Sequence, residues 1–267
     1  MASINKSIIQ ITALEDLAHK DTPLHRLQPS VKLIITVIYV LTVISFRPDT
    51  VSGLIPFICF PVLFMIIGEI PFQPLAVRCV LALPFAFFAG ISNLIISRDV
   101  AIHIGKLIIT EGMISFTSLL LKTVLTVMII LILVSTTSMN DLLYALIAFH
   151  LPSLIVIQIM MTYRYMSVLL EEASVMYHAY LLRAPMEKGI KLNDMGSFLG
   201  QLILRSFDRA DRIYQAMKCR GFEGSIGFSK KDKLGVKSWI VIVIVGFFLL
   251  ILRFVNISEM IGRVWIS

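Results

Sequence analysis

The chain has little charge. Asp, Glu, Lys and Arg make up 15% of its 267 residues, against roughly one quarter in soluble domains. That charge is also skewed, with 24 Lys and Arg against 17 Asp and Glu, a formal net charge of +7. Cysteine is scarce. Cys59, Cys79 and Cys219 are far apart and fit neither a disulfide framework nor a metal-ligand spacing, so they read as inert small residues. The five histidines are equally scattered. His19-x-Asp21-x3-His25 has a metal-compatible spacing, but beside a basic N-terminus it reads as ordinary solvated sequence. No G-x-x-x-x-G-K-[ST] phosphate loop exists, because Gly105-Lys106 has Val100 where the first glycine belongs. No nucleophile and base stand in a readable constellation, which argues against an enzyme. No cleavable signal is expected either, since the first 30 residues are mixed and polar.

Apolar residues are abundant: 57% of the chain is hydrophobic and the mean hydropathy is +0.88. Several apolar runs approach or exceed the 18 or so residues that cross a bilayer, which implies a helical integral membrane protein. Spans are expected at 31–46, 50–68, 75–96, 113–135 and 238–254. The first is short, with Lys32 and Arg47 placed to snorkel at its ends. Pro56 and Pro61 predict a kink in the second. Residues 97–111 read as a loop. Ser138 followed by Asp141 is a capping signature for a short helix. Pro152 begins a long helix that is greasy over Leu154–Met161, turns polar at Tyr163-Arg164-Tyr165 and Glu171-Glu172, and stops before Pro185.

A second long amphipathic helix follows, capped by Asn193 or Asp194 and running from about Met195. It closes on Lys218 and Arg220, whose cations suit the negative end of the helix dipole, and then Gly221, which accepts the left-handed conformation. The predicted fold class is therefore all-α: a polytopic membrane protein with about five transmembrane helices and a cytoplasmic domain of long amphipathic helices. The expected division is 1–135, 136–237 and 238–267.

Charge placement orients the chain. Four Lys and Arg fall in residues 1–32, thirteen in 136–237, and Arg78 joins them, whereas five lie on the other side. By the positive-inside rule the N-terminus and the segment 136–237 are cytoplasmic. Topology thus accounts for the net charge, and no nucleic-acid partner is expected. Lys122 falls near the centre of the fourth span. An ionisable group there is a functional candidate by default, yet no deep acid pairs with it, so a lysine bonded to a hydroxyl or carbonyl of another span is the expected reading.

The two long helices end alike. Ala179-Tyr180-Leu181-Leu182-Arg183-Ala184 and Ala216-Met217-Lys218-Cys219-Arg220-Gly221 are both Ala-x-x-x-Arg followed by a small residue. Duplication at two helix ends suggests two equivalent contacts, each with a forked, permanently charged anchor for carboxylates. These motifs, together with Met161-Thr162-Tyr163-Arg164-Tyr165 through Glu171-Glu172-Ala173 and Arg205-Ser206 through Gly224, resemble the transmembrane T component of energy-coupling-factor (ECF) transporters. Leu27-Gln28-Pro29-Ser30-Val31-Lys32-Leu33 is similar to the family's Leu-Asp-Pro-x-x-Lys-Leu, with Gln28 where aspartate is usual. The wording around Arg205–Gly224 is most similar to the cobalt branch, CbiQ.

That resemblance implies a coupling scaffold in a cell membrane. It implies partnership with two ABC-type ATPase subunits, which bind the helix tips, and with a separate membrane subunit that captures substrate. Ala179, Arg183 and Ala184 would form the first tip; Ala216, Arg220 and Gly221 the second. Ala184 departs from the family's glycine. No cofactor is expected in this chain, because ATP would be bound by the partners. Cobalt follows from the resemblance alone, and nickel or a vitamin would be served by a similar scaffold. A self-contained secondary transporter is the rival, but inverted repeats with broken helices are not visible in these spans.

Overall fold

Proline at a first helical position forfeits no hydrogen bond, and Pro29 opens α1 (Pro29–Ile44). The computed structural model describes residues 22–47, 51–96, 100–104, 107–149, 151–184, 189–224 and 235–254. The expected kink in the second apolar run is a change of helix type. A 3₁₀ segment (Ser52–Ile58) containing Pro56 passes directly into α2 (Cys59–Gly68). Next come α3 (Phe72–Ile96), β1 (Val100–Ile104), β2 (Leu107–Thr110), α4 (Glu111–Thr136) and α5 (Met139–Ala148). The order closes with α6 (Ser153–Arg183), α7 (Leu192–Cys219) and α8 (Val236–Phe254). At α5 the capping signature is realised, with the Asp141 N–H donating to Ser138 Oγ at 3.2 Å and Ser138 Oγ donating to Asp141 Oδ2 at 2.7 Å.

The protein is an all-α polytopic membrane protein with one addition. Where the sequence reads as a loop over 97–111, β1 and β2 form a short antiparallel hairpin. Val100 pairs with Thr110 and Ile104 with Leu107, and a register shift lies between Val100 and Ile102. Its strands are rich in β-branched Val, Ile and Thr, which fit a pleated ribbon. They are too brief to stand out between two long apolar helices.

Among the described residues, three helices are long and apolar enough to cross a membrane: Phe72–Ser92, Glu111–Thr136 and Ser153–Arg183. The other spans expected from sequence are shorter apolar helices, Pro29–Ile44, Ser52–Gly68 and Ser238–Arg253. The 16 residues of α1 extend only about 24 Å. Qualification of α6 by length and composition differs from its expected place outside the bilayer. Its apolar first half carries the hydropathy, and its second half holds Arg164, Glu171, Glu172 and Arg183.

Two compact units share the chain. Among the described residues, one comprises 22–145 and 235–254, and the other comprises 146–224. In the first unit, Val31, Ile35, Tyr39 and Val43 recur every four residues on α1 and are buried, so a single ridge of that helix forms the core. Phe57 and Phe60, Leu125 and Ile129 from α4, and Ile242 and Leu249 from α8 complete it. Tyr39 donates its hydroxyl to the Phe57 carbonyl at 2.9 Å, satisfying a 3₁₀ carbonyl that lies deep among apolar side chains. Outward faces remain apolar, as at Phe85, Leu81 and Phe88 on α3, which are 81%, 75% and 71% exposed. So large an exposed apolar surface requires a lipid environment.

The lysine in the fourth span is bonded as expected. Lys122 Nζ donates to the Phe46 carbonyl, just past the end of α1, at 2.6 Å. Gln28, where the motif it resembles has aspartate, precedes α1 without capping it. Its Oε1 instead accepts a bond from the Ser238 hydroxyl at the start of α8. His19 and Asp21 lie outside the described residues. His25 Nδ1 shares a hydrogen bond with Thr22 Oγ1 at 2.6 Å, and no group of metal-ligating side chains occurs among the described residues.

Candidate functional site

Both tips belong to the second unit, at the ends of α6 and α7. Helix α6 closes where proline two residues on forbids continuation. Ala184 adopts φ −127° and ψ 67°, and its N–H donates to the Tyr180 carbonyl at 3.0 Å. A negative φ makes no demand for glycine, which explains why alanine is accommodated at this end. The other end does demand it. Beyond α7, Arg220 has φ −94°, and Gly221 has φ +82°. The Phe222 N–H reaches back to the Met217 carbonyl at 3.0 Å and the Gly221 N–H to Lys218 at 2.9 Å. These two bonds make a Schellman cap, which needs a left-handed residue where Gly221 stands.

Neither of the residues expected to cap α7 does so. Lys191 occupies the capping position and makes no side-chain capping bond, and Asp194 lies inside the first turn, where its charge suits the helix dipole. Tyr180 supplies the link. Its hydroxyl donates to Asp194 Oδ2 at 2.7 Å and accepts from the Lys191 N–H at 3.4 Å. The first tip is therefore fastened to the beginning of α7, and the second is that helix's other end. With 28 residues in α7, roughly 40 Å of helix separates the two.

Halfway along, Glu172 of α6 meets two arginines of α7. Arg205 Nη1 lies 2.7 Å from Oε1, and Arg209 Nη2 lies 3.2 Å from Oε2. Past this contact an apolar groove of about 760 Å³ opens between the helices, lined by Leu154, Met161 and Tyr165 on one side and Ile213, Met217 and Phe222 on the other. Helix α7 has no buried residue along its whole length. Ala179, Arg183, Ala216, Arg220 and Gly221 are all exposed, and Ala184 is half-buried. The fold thus presents the six candidate residues as two separate outward-facing points and does not gather them into one pocket.

Comparison with known families decides the class. The model of the family CbiQ, cobalt transport protein, matches residues 20–231. The chain belongs to the CbiQ family. The match runs from before α1 through α7, so it spans most of the apolar helices and both tips. No curated protein matches the chain. CbiQ is a family of transport proteins, and with its apolar helices this member is a multi-pass membrane protein. Residues missed by sequence reasoning are Tyr180, Glu172, Arg205 and Arg209 in their pairing roles. A signal did exist for the last three: two arginines one turn apart on α7, and the isolated acidic pair Glu171-Glu172 on α6.

Proposed function

We propose that this CbiQ member is the coupling subunit of an ECF importer, carrying motion from two ABC-type ATPase subunits to a separate substrate-binding membrane subunit. The observation that carries the reading is the pair of exposed Ala-x-x-x-Arg ends at opposite ends of α7. Two points held roughly 40 Å apart by one helix suit a two-subunit partner better than a small ligand. Each point offers a small residue that can enter a groove and an arginine whose fork matches carboxylates. The N-terminus and the second unit's polar surface face the cytoplasm in this reading.

The mechanism is mechanical. ATP binding closes the ATPase pair and displaces the tips relative to each other; α6 and α7 act as levers on the membrane helices, which reorient the substrate subunit. ATP is bound and hydrolysed by the partners, and this chain carries no cofactor. Cobalt is the cargo proposed on family membership, and no residue described above is placed to recognise it. Nickel or a vitamin would use the same scaffold with a different substrate subunit.

The test is Arg220→Glu in the assembled transporter. Reversing the charge should release the ATPase subunits on co-purification and abolish uptake while the chain remains inserted. Arg183→Glu should act in the same direction. An intact, active complex carrying Arg220→Glu would remove the assigned role. Affinity purification from the native host, followed by metal-uptake assays on whatever assembly is recovered, separates cobalt from the other cargoes.

A further inference from the structure

The contact between Glu172 and the arginines of α7 has a geometry that exceeds what holding two helices together requires. Both carboxylate oxygens are used, and each is taken by a different arginine of the same helix. Arg205 and Arg209 are four residues apart, so they stand one above the other on a single face. A carboxylate gripped from two successive turns fixes α7 both in its roll about its own axis and in its position along it. A roll by one residue, about 100°, breaks both bonds, and a slide by one turn leaves only one arginine facing the carboxylate.

The tips share those faces. At 3.6 residues per turn, Glu172, Ala179 and Arg183 fall within an arc of about 40° on α6. Arg205, Arg209, Arg212, Ala216 and Arg220 fall within about 80° along α7 and its cap. The face of each lever that is locked at the crossing is thus the face that carries its tip. Apart from the Tyr180 brace at the start of α7, the rest of the interface offers little to set this register. No residue of α7 is buried, and beyond the crossing the helices are separated by the groove.

We propose that Glu172, through Arg205 and Arg209, is the positioning residue that sets the rotational phase of both levers, so that the two arginine tips face the ATPase pair together. The proposal rests on the coupling reading for its consequence in transport, but the phase itself belongs to this chain alone. Exposed ion pairs add little stability. The crossing is one of these, with side-chain exposures of 24% for Glu172, 54% for Arg205 and 33% for Arg209. Its loss should therefore leave a folded, inserted protein with misaligned levers.

The experiment uses full-length chain with its three native cysteines replaced by serine or alanine and nitroxide labels on exposed Val175 of α6 and Gln215 of α7. Pulsed dipolar spectroscopy then reads the spread of distances. Glu172→Gln and Glu172→Arg should broaden the distribution, and the charge swap Glu172→Arg with Arg205→Glu and Arg209→Glu should narrow it again. In the assembled transporter, the same Glu172→Arg change should lower uptake per ATP hydrolysed by roughly fivefold to tenfold, within the range of mutations that alter coupling between sites. The swap should restore that ratio. Distances that stay equally narrow in both single variants, or that the swap fails to restore, would overturn the proposal. Should Arg220→Glu leave a working complex while the distances still follow Glu172, the coupling reading falls and the positioning role stands.

Discussion

Lys32 and Lys122 bind each other's helices at the carbonyl end. Lys32 of α1 donates to the Thr136 carbonyl that ends α4, at 2.7 Å, and Lys122 of α4 donates to the Phe46 carbonyl beyond α1, at 2.6 Å. Fourteen residues separate lysine from accepted carbonyl on each helix, as antiparallel neighbours of equal rise require. Helix C-termini leave carbonyls without donors, and inside a bilayer no water replaces them. Each lysine meets that need for the other helix, and Arg253 adds a third donor at the Ser45 carbonyl, 2.9 Å away.

A structural lysine and an ion-pathway lysine respond differently to Lys122→Met. Interhelical hydrogen bonds in membranes contribute about 1–2 kcal/mol, so thermal unfolding in detergent should shift by that equivalent while uptake by the surviving protein persists. Lys32→Met should shift it in the same direction. Since both residues tie the same helix pair, the double variant should cost less than the sum. Lost uptake with an unchanged midpoint would put Lys122 on a transport route instead.

Much of this was legible along the chain because it is local. The apolar runs, the Ser138–Asp141 cap, the stop before Pro185 and the left-handed Gly221 all depend on neighbours within a few residues. What was not legible depends on partners far away in sequence. Glu172 is 33 residues from Arg205, Tyr180 is 14 from Asp194, and Lys122 is 76 from Phe46; no periodicity announces such pairs. The hairpin was missed for another reason. Its strands of five and four residues give too little alternation to compete with the helices on either side.

At Gly90, α3 is packed tightly against side chains of α4. A Cβ there would lie 2.6 Å from Phe116 Cδ2, and that ring is already held edge-on by Phe87 at 5.6 Å. Gly90→Val should therefore destabilise the first unit by about 1–3 kcal/mol through overpacking, read as a lower unfolding midpoint. Adding Phe116→Leu should recover part of the loss. A harmless Gly90→Val would mean that the two helices can separate freely.

Gly221 is constrained by its backbone and not by crowding. Nothing lies within 4 Å of a Cβ placed there, but φ is +82°. Gly221→Val should cost about 1–2 kcal/mol locally, enough to fray the last turn and release the bond from the Phe222 N–H. Amide exchange at Phe222 should accelerate, and ATPase co-purification should weaken without loss of membrane insertion. Gly221→Asn, which tolerates the left-handed region better, should lie between Gly221→Val and wild type in both measurements.

The first tip should fail in a different way, because its brace is a side chain. Tyr180→Phe removes one oxygen and with it the bonds to Asp194 and the Lys191 N–H, while the ring and the fold of α6 are kept. A hydrogen bond at this exposure contributes about 0.5–1.5 kcal/mol. Global stability should thus hardly change, but amide exchange in the first turn of α7 should rise several-fold as that helix start loses its anchor. Exchange at the Gly221 end, some 40 Å along the helix, should stay as in wild type. If ATPase movement is carried through both tips, uptake should fall less in Tyr180→Phe than in Arg183→Glu, since the arginine anchor remains and only its alignment is loosened. Equal losses in the two variants would mean that alignment by Tyr180 matters as much as the charge, and unchanged exchange at the α7 start would remove the brace altogether.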